Sequence, residues 1–527
     1  MASIRNEEKR NIIPLWRSYD ESARMGELAY TGKSIVPVRF DRFNEFLAGW
    51  QEHQTITSAA DLINVAVASD NTKLPDVIKA AEFMLKNRDA CSPLAIDVAL
   101  YLLEKPANVE IEKRENKLIK FEDRADALIF DLDNQEIKTK ARIGQLRKQV
   151  HNFCHNAIAY CELARCYADL GLNEKAEFYM NCAVQLAPHN RFVSRCAARF
   201  FVHIGDTSKA RKILNNNGWI NSDPWLMASE IAVTSVMKRS SRHINAGRKL
   251  VLSDDISPYS SSELCFAICK EDYKAGKRKD WQRMFGMGLR DPNDNSLAQA
   301  EYIAKAESKN LFDYGRYGSI ARKDEADTRN FIVMGNYEEA FLSSINWMRD
   351  FRFSSEPISF AFDLSCNFLK KYDYSVAVIK RWLDLKPQDF VMTNNLIYAL
   401  GLSDKTEEAE QYYSKINVER RMEENADNGI CLLATKGLIE YRKKNIEEGR
   451  AYYQLSIDTA KRLRKKNLAD KARLNMIREE IHCCDDYDAN ILKELDSLNT
   501  GFEDETEQLK KDIHLEVEKR GKKIAAN

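Results

Sequence analysis

The chain has 527 residues, too many for one compact hydrophobic core, and only 20 Gly and 11 Pro, a scarcity that suits long helices joined by short polar turns and leaves little room for strands. Lys plus Arg and Asp plus Glu each number 80, so no overall field draws the molecule to nucleic acid or to an anionic membrane, and any such binding must be local. No stretch reaches the roughly 18 uninterrupted apolar residues of a membrane span, and the opening MASIRNEEKRN is charged where a signal peptide is apolar. With Cys161, Cys166, Cys182 and Cys196 on helix-core positions, a soluble protein of the reducing cytoplasm with free buried thiols is expected.

In chain order, residues 1–105 contain helical stretches at 42–50, 58–69, 76–87 and 94–104, interrupted by the extended-looking SIVPVRF at 34–40, and read as an N-terminal helical cap. Within this region Gly32-Lys33-Ser34 has the look of a phosphate loop, but Glu27 stands where that motif needs glycine, so a plain turn is expected. Residues 106–150 are densely charged, with apolar residues at Ile111, Leu118, Phe121, Ala125, Leu128 and Leu132, then Ile143, Leu146 and Val150 after an eleven-residue step. This heptad seam with a stutter predicts a long, coiled-coil-like helix or hairpin. Its apolar stripe must be covered by the rest of the chain or by a second copy, which makes self-association through 109–150 an expectation.

Residues 157–190 read AIAYCELARCYADLGLNEKAEFYMNCAVQLAPHN, two amphipathic helices broken at Gly171. The pattern resembles the tetratricopeptide repeat. Tyr160, Leu163, Ala164 and Tyr167 match the first helix of that motif, while Ala176, Ala183 and Pro188 match its second helix and closing turn. Ala210 follows Ala176 by the family's repeat length of 34, and Ala340, Ser375, Ala409 and Gly449 hold the same slot at intervals of 35, 34 and 40. Units of this kind are therefore expected at 151–224 and 321–463. Between them, 225–320 is degenerate, with Trp281 in the small-residue slot and DPNDNS at 291–296 as the clearest turn between units. From 464 to 527 the stripe Leu474, Ile477, Ile481, Ile491, Leu495 and Leu498, followed by a charged helix at about 503–522, predicts a C-terminal cap. The fold class is an all-α, tetratricopeptide-like solenoid.

Sites of chemistry are sparse. His151, Cys154 and His155 form one cluster and His482, Cys483, Cys484, Asp485 and Asp486 another, but neither has the matching second pair of a zinc site. Cys265 and Cys269, one turn apart, read as packing residues. No nucleophile elbow, Cys-His signature or glycine-rich phosphate loop selects a catalytic set, so no catalytic residue, cofactor or metal is assigned. One local basic run, Lys461, Arg462, Arg464, Lys465 and Lys466, offers cations to an acidic protein surface or a phosphate backbone, without the interleaved aromatics that single-strand stacking needs.

A solenoid of such hairpins presents the first helix of each unit on a concave side. The resemblance implies that this side holds an extended peptide or a partner helix. Glu162, Arg165, Arg195, Arg199, Asn394, Asn395 and Tyr398 are polar or large at first-helix positions outside the core pattern, and are the expected lining. The function expected is a non-catalytic protein-protein scaffold, an adaptor or sensor subunit. A peptide- or ligand-responsive regulator and an RNA-binding helical-repeat protein are the alternatives, the latter disfavoured because no regular pair of base-reading side chains recurs.

Overall fold

The computed structural model describes residues 10–24, 43–69, 71–91, 93–103, 120–253, 256–307, 311–484, 490–501 and 504–526. The SIVPVRF stretch, the Gly32-Lys33-Ser34 turn, the seam residues Ile111 and Leu118, and Asp485 and Asp486 lie outside these residues. Among the described residues the chain is built of helices and turns, with no strand.

Three local signals build each hairpin. A first helix starts where an Asn, Asp or Ser side chain accepts a backbone N–H two or three residues on, as Asn156, Asn190, Asp223, Ser257, Asn293 and Asp389 do. It ends at a residue in the left-handed region: Gly171, Gly205, Lys238, Gly276, Gly335, Lys370, Asp404 or Lys444. At Gly171 the turn is closed by Leu172 N–H donating to Tyr167 C=O at 2.9 Å, the six-residue cap that left-handed residues permit. The fourth residue of the second helix then meets the first helix, and it is Ala176, Ala210, Gly247, Ala340, Ser375, Ala409 or Gly449.

Gly247 extends the phase into the degenerate region. The sequence hides it because four extra residues lengthen the preceding turn. A Cβ at Gly247 would stand 3.0 Å from Leu264 and from Met227, so the slot demands the smallest residue there. Trp281 does occupy the slot of helix Arg278–Gly288 and is 5% exposed. Its backbone carbonyl accepts from Cys269 Sγ at 3.3 Å, and both Cys265 and Cys269 are buried free thiols. Small sulfur side chains on the first helix make the room that the second helix lacks. The following unit is more divergent: after first helix Asp294–Ala306 the described residues 311–323 hold no α-helix, only a 3-10 turn, Tyr314–Tyr317.

Successive first helices line up side by side, and the accumulated rotation brings the array back on itself. Gly171, in the turn after helix Ala157–Asp169, abuts Leu385 and Lys386 at the end of helix Tyr372–Leu385, and the rings of His203 and Phe353 lie 5.3 Å apart. The concave side is therefore enclosed over this part of the array rather than open.

Helices Phe43–Glu52, Ile56–Ala68, Pro75–Lys86 and Pro93–Leu103 stack ahead of the first repeat. Helix Phe121–Asn152 is one continuous helix of 32 residues, laid against second helices Tyr337–Asp350 and Tyr372–Leu385. The same helix also packs on helix Ala157–Asp169; Ala125, Ile129, Leu132 and Leu146 are buried in the main core, and Leu128, Ile143 and Val150 are partly buried against it. Arg124–Glu339 at 2.5 Å, Arg349–Asp131 at 2.7 Å and Lys371–Glu122 at 3.0 Å dock its flanks. The array itself covers the described part of the seam. At the other end, Leu474, Ile477 and Ile481 of helix Lys466–Cys483 form a separate cluster with Leu495 and Ile513. Helix Asp504–Ala526 thus covers the last first helix, and reaches back to the middle of the array through Asp504–Lys305 at 3.0 Å and Asp512–Lys370 at 2.7 Å.

Candidate functional site: the concave groove

First helices of an open solenoid keep one face in water, yet in helix Pro224–Val236 every residue but Val236 is buried. Helix Pro224–Val236 is enclosed by its neighbours, above all first helix Pro258–Lys274, while the first helices on either side of this pair, from Ala157 to His203 and from Asp294 to Val333, are met by the chain's own N-terminal segment. Residues 10–18 run without regular structure into the short helix Tyr19–Arg24. Pro14 fixes its own φ and biases Ile13 toward an extended conformation. The apolar run Ile12-Ile13-Pro14-Leu15-Trp16 could not be left in water cheaply, and Ile12, Ile13 and Trp16 are all buried.

Side chains hold the segment. Arg10 makes a two-pronged contact with Glu325, Nε to Oε1 at 2.6 Å and Nη2 to Oε2 at 2.9 Å, and its Nη1 donates to Gln299 Oε1 at 2.8 Å. Paired donors matched to a carboxylate give orientation as well as energy. Asn295 Nδ2 donates to the Ile13 carbonyl at 3.1 Å. Trp16 stands between Phe200 and Phe353, its ring centroid 5.7 and 5.4 Å from theirs. Arg17 is ion-paired to Asp294, and Tyr19 N–H donates to Glu162 Oε1 at 2.8 Å. Beyond it, Glu21 pairs with Arg322 at 2.8 Å.

The charges are tuned by this enclosure. Burial opposes ionisation of Glu325, but the Arg10 and Arg329 guanidinium groups outweigh it and hold the carboxyl well below the usual range. Glu21 is brought down to about 2 in the same way, burial being overcome by Arg322, Arg165 and Arg17. Asp324, at the start of helix Asp324–Val333, is the converse: burial, with Asp350 and Asp327 nearby, pushes it up to about 7.

The expected lining residues lie in this setting. Glu162 accepts from Tyr19, and Arg165 lies 3.7 Å from Glu162 and 3.4 Å from Asp169. Arg195 is paired with Glu263 at 3.0 Å and stacked over Trp225, 4.7 Å from the ring centroid. Arg199 lies over Phe353 at 5.3 Å. Glu162 and Arg199 meet the N-terminal segment or the cavity beside it, Arg165 adjoins Glu162, and Arg195 is linked to the segment through Glu263 and Asn295. Asn394, Asn395 and Tyr398 belong to the second half of the array and do not join them. Tyr398 donates to Asn475 at 3.0 Å and accepts from Arg478 at 2.8 Å. Asn394 borders a small cavity of about 30 Å³ between helices Phe390–Leu402, Ala426–Arg442 and Lys466–Cys483, and Asn395 is fully buried. Apart from Arg165 and Arg199, these residues are buried rather than solvent-facing: Glu162 beneath the N-terminal segment, Arg195 against Glu263 and Trp225, and Asn394, Asn395 and Tyr398 among the first helices that follow.

Sequence reasoning missed Arg10, Trp16, Arg17, Asp294, Asn295 and Glu325. The one local signal was the apolar run ending in Trp16 within a charged N-terminus. The basic residues Lys461, Arg462, Arg464, Lys465 and Lys466 are exposed at the turn between helices Ile446–Arg462 and Lys466–Cys483, where cations also suit the helix C-terminus. Lys465 is paired with Asp427 at 3.1 Å. Among the described residues no three His, Cys, Asp or Glu side chains converge on a metal position. Cys154 is exposed, Cys484 Sγ donates to Glu480 at 3.3 Å, and His482 lies 3.5 Å from Glu516. Among the described residues no helix is long and apolar enough to cross a membrane.

The fold is a tetratricopeptide-like α-solenoid. No protein-family model matches the sequence and no curated protein matches it. Among solved structures the chain is similar to yeast Tom70, with 14% identity and a TM-score of 0.29, over 77% of this chain and all of that one. It is also similar to the TPR domain of P58(IPK), with 11% identity and a TM-score of 0.18, over 66% of this chain and 99% of that one.

Proposed function

We propose that this chain is a non-catalytic protein-protein interaction scaffold, an adaptor or sensor subunit that takes an extended segment of a partner protein on its concave side. One observation carries the reading: Glu162, Phe200, Asp294, Asn295 and Glu325 on first helices, with Phe353 from the turn after helix Tyr337–Asp350, grip an extended stretch of polypeptide. Side chains placed in this way recognise an extended peptide, with buried ion pairs fixing register and an aromatic anchor supplying much of the energy. Buried free thiols such as Cys166, pushed up to about 12 by burial, are unreactive and support a reducing, cytoplasmic setting. The described seam of helix Phe121–Asn152 is spent on the array, so the scaffold needs no second copy to cover it.

A benzoylphenylalanine photoprobe replacing Phe351, which lines the groove, tests the reading in extracts of the native source. An adduct to a second polypeptide, suppressed by excess synthetic peptide spanning residues 9–24, is the expected result. Adducts confined to the chain itself at every extract concentration would remove the concave side as the partner site.

A further inference from the structure

The N-terminal segment is bound as a ligand would be bound. Among the described residues its backbone makes no hydrogen bond to the backbone of the array; the polar contacts run through side chains, Arg10 to Glu325, Gln299 and Asn295, Arg17 to Asp294, and Tyr19 N–H to Glu162. The polar part of the receiving surface, Asp294, Asn295, Gln299 and Glu325, would hydrate on release, and the Phe200–Phe353 slot is the apolar part that a displacing segment has to refill. The fit is also incomplete. A cavity of about 30 Å³ bordered by Arg10, Asn11, Ile13, Arg199, Asn295 and Glu325 runs beside the segment, and a second of about 10 Å³ adjoins Leu15 and Arg17. Gln299, which holds Arg10 through its oxygen, is fully buried, yet its Nε2 has no acceptor, and the same is true of Nε of Arg199, which borders the larger cavity. Each of these groups is a donor. The groove therefore has hydrogen-bonding capacity and space that its resident leaves unused.

We propose that residues 10–19 are a self-docked, displaceable occupant of the concave groove, and that the partner is an extended protein segment of the same chemistry: a guanidinium for Glu325, then a large aromatic side chain between Phe200 and Phe353 followed directly by a second guanidinium for Asp294. Such a partner prevails by also supplying an acceptor to the idle donors. The inference rests on the scaffold reading above and adds the class of partner and the means by which the free protein keeps its groove closed. An intramolecular occupant acts at an effective concentration in the millimolar range, so only a segment binding more tightly than the resident gains access.

The full chain carrying Arg10→Ala, Trp16→Ala and Arg17→Ala is compared with wild type by fluorescence anisotropy, using a labelled synthetic peptide spanning residues 9–24. The released variant is expected to keep the helix content and cooperative melt of the array and to bind the peptide at least about tenfold more tightly than wild type, a difference of about 1.4 kcal/mol. Adding Asp294→Arg to the released variant should abolish that binding. Collapse of the variant's cooperative melt would overturn the proposal, because the segment would then be part of the core. Equal peptide affinity in variant and wild type, or binding indifferent to Asp294→Arg, would overturn it as well. If the peptide exchanges as expected while the Phe351 photoprobe finds no partner, the occupant stands and the scaffold reading falls.

Discussion

Gly171 sits against Leu385 so closely that a Cβ on the glycine would stand 2.6 Å from the Leu385 carbonyl oxygen. This contact, across 214 residues of sequence, is where the solenoid closes on itself. Gly171 has φ +73°, and Gly205, at the same place in the next hairpin, has φ +86° with nothing within 4 Å of a built Cβ. Gly205→Ala should therefore lose only the left-handed penalty of about 1–2 kcal/mol. Gly171→Ala should lose that and the closure contact with it, melting clearly below the Gly205 variant. Matching urea midpoints for the two would mean that the closure contributes nothing to stability.

A second close fit lies in the hairpin of helices Ala426–Arg442 and Ile446–Arg462, where glycine and tyrosine are exchanged reciprocally. A Cβ at Gly449 would lie 2.5 Å from Tyr441, and one at Gly437 would lie 2.6 Å from Tyr453. Gly449→Ala should overpack by roughly 1–3 kcal/mol despite its better helix propensity. In the background of Tyr441→Leu the same change should cost much less. A double-mutant cycle on denaturation midpoints reads the coupling, and additive effects would show that the two positions do not share the crossing.

Asp324 sets a pH dependence whose sign is fixed. Its carboxyl keeps a proton up to about 7 in the folded protein, whereas in the unfolded chain it ionises near 4. The folded state binds more protons between those values, so this group's contribution to stability falls as pH rises from about 4 to 7. Glu301, also pushed up to about 7 by burial, acts in the same direction. His203 opposes them: burial, with Lys386 and Arg199, pushes it down to about 3, so its contribution to stability rises with pH from about 3 to 6.5. Asp324→Asn should raise the melting temperature at pH 8, leave it nearly unchanged at pH 4, and make the slope between them more positive. A melting curve with the wild-type slope would assign the effect elsewhere.

Leu132 and Leu146 lie on the seam of helix Phe121–Asn152, at 6% and 1% exposure. Aspartate at either position places an unpaired charge against apolar surface, which costs several kcal/mol unless the site opens. Because the array covers the seam, Leu146→Asp should lower the melting temperature while the mass by light scattering stays that of wild type. A fall in mass with an unchanged melt would instead make the seam an interface between copies.

The helices and their phase were legible in the sequence because what specifies them is local. The N-caps at Asn156 and Asp389, the turn at Gly171 and the small residues at Ala176, Ala210, Ala340 and Ala409 act within one hairpin of about 34 residues. The apolar stripe Leu474, Ile477, Ile481 and Leu495 likewise announces a covering helix. The slot at Gly247 escaped notice because a longer turn shifts the period, and Trp281 looked like a lapse because its compensation, Cys265 and Cys269, sits on the other helix. Only the tertiary structure decided what faces the concave side. Closure at Gly171 and Leu385 depends on a small rotation summed over many hairpins, which no single repeat encodes. Arg10 meets Glu325 across 315 residues and Tyr19 meets Glu162 across 143, so Glu162, polar at a first-helix position, is partnered once the N-terminal segment has folded into the array. Arg195 and Tyr398 instead find Glu263 and Asn475 on first helices further along the stack, contacts that no single hairpin encodes.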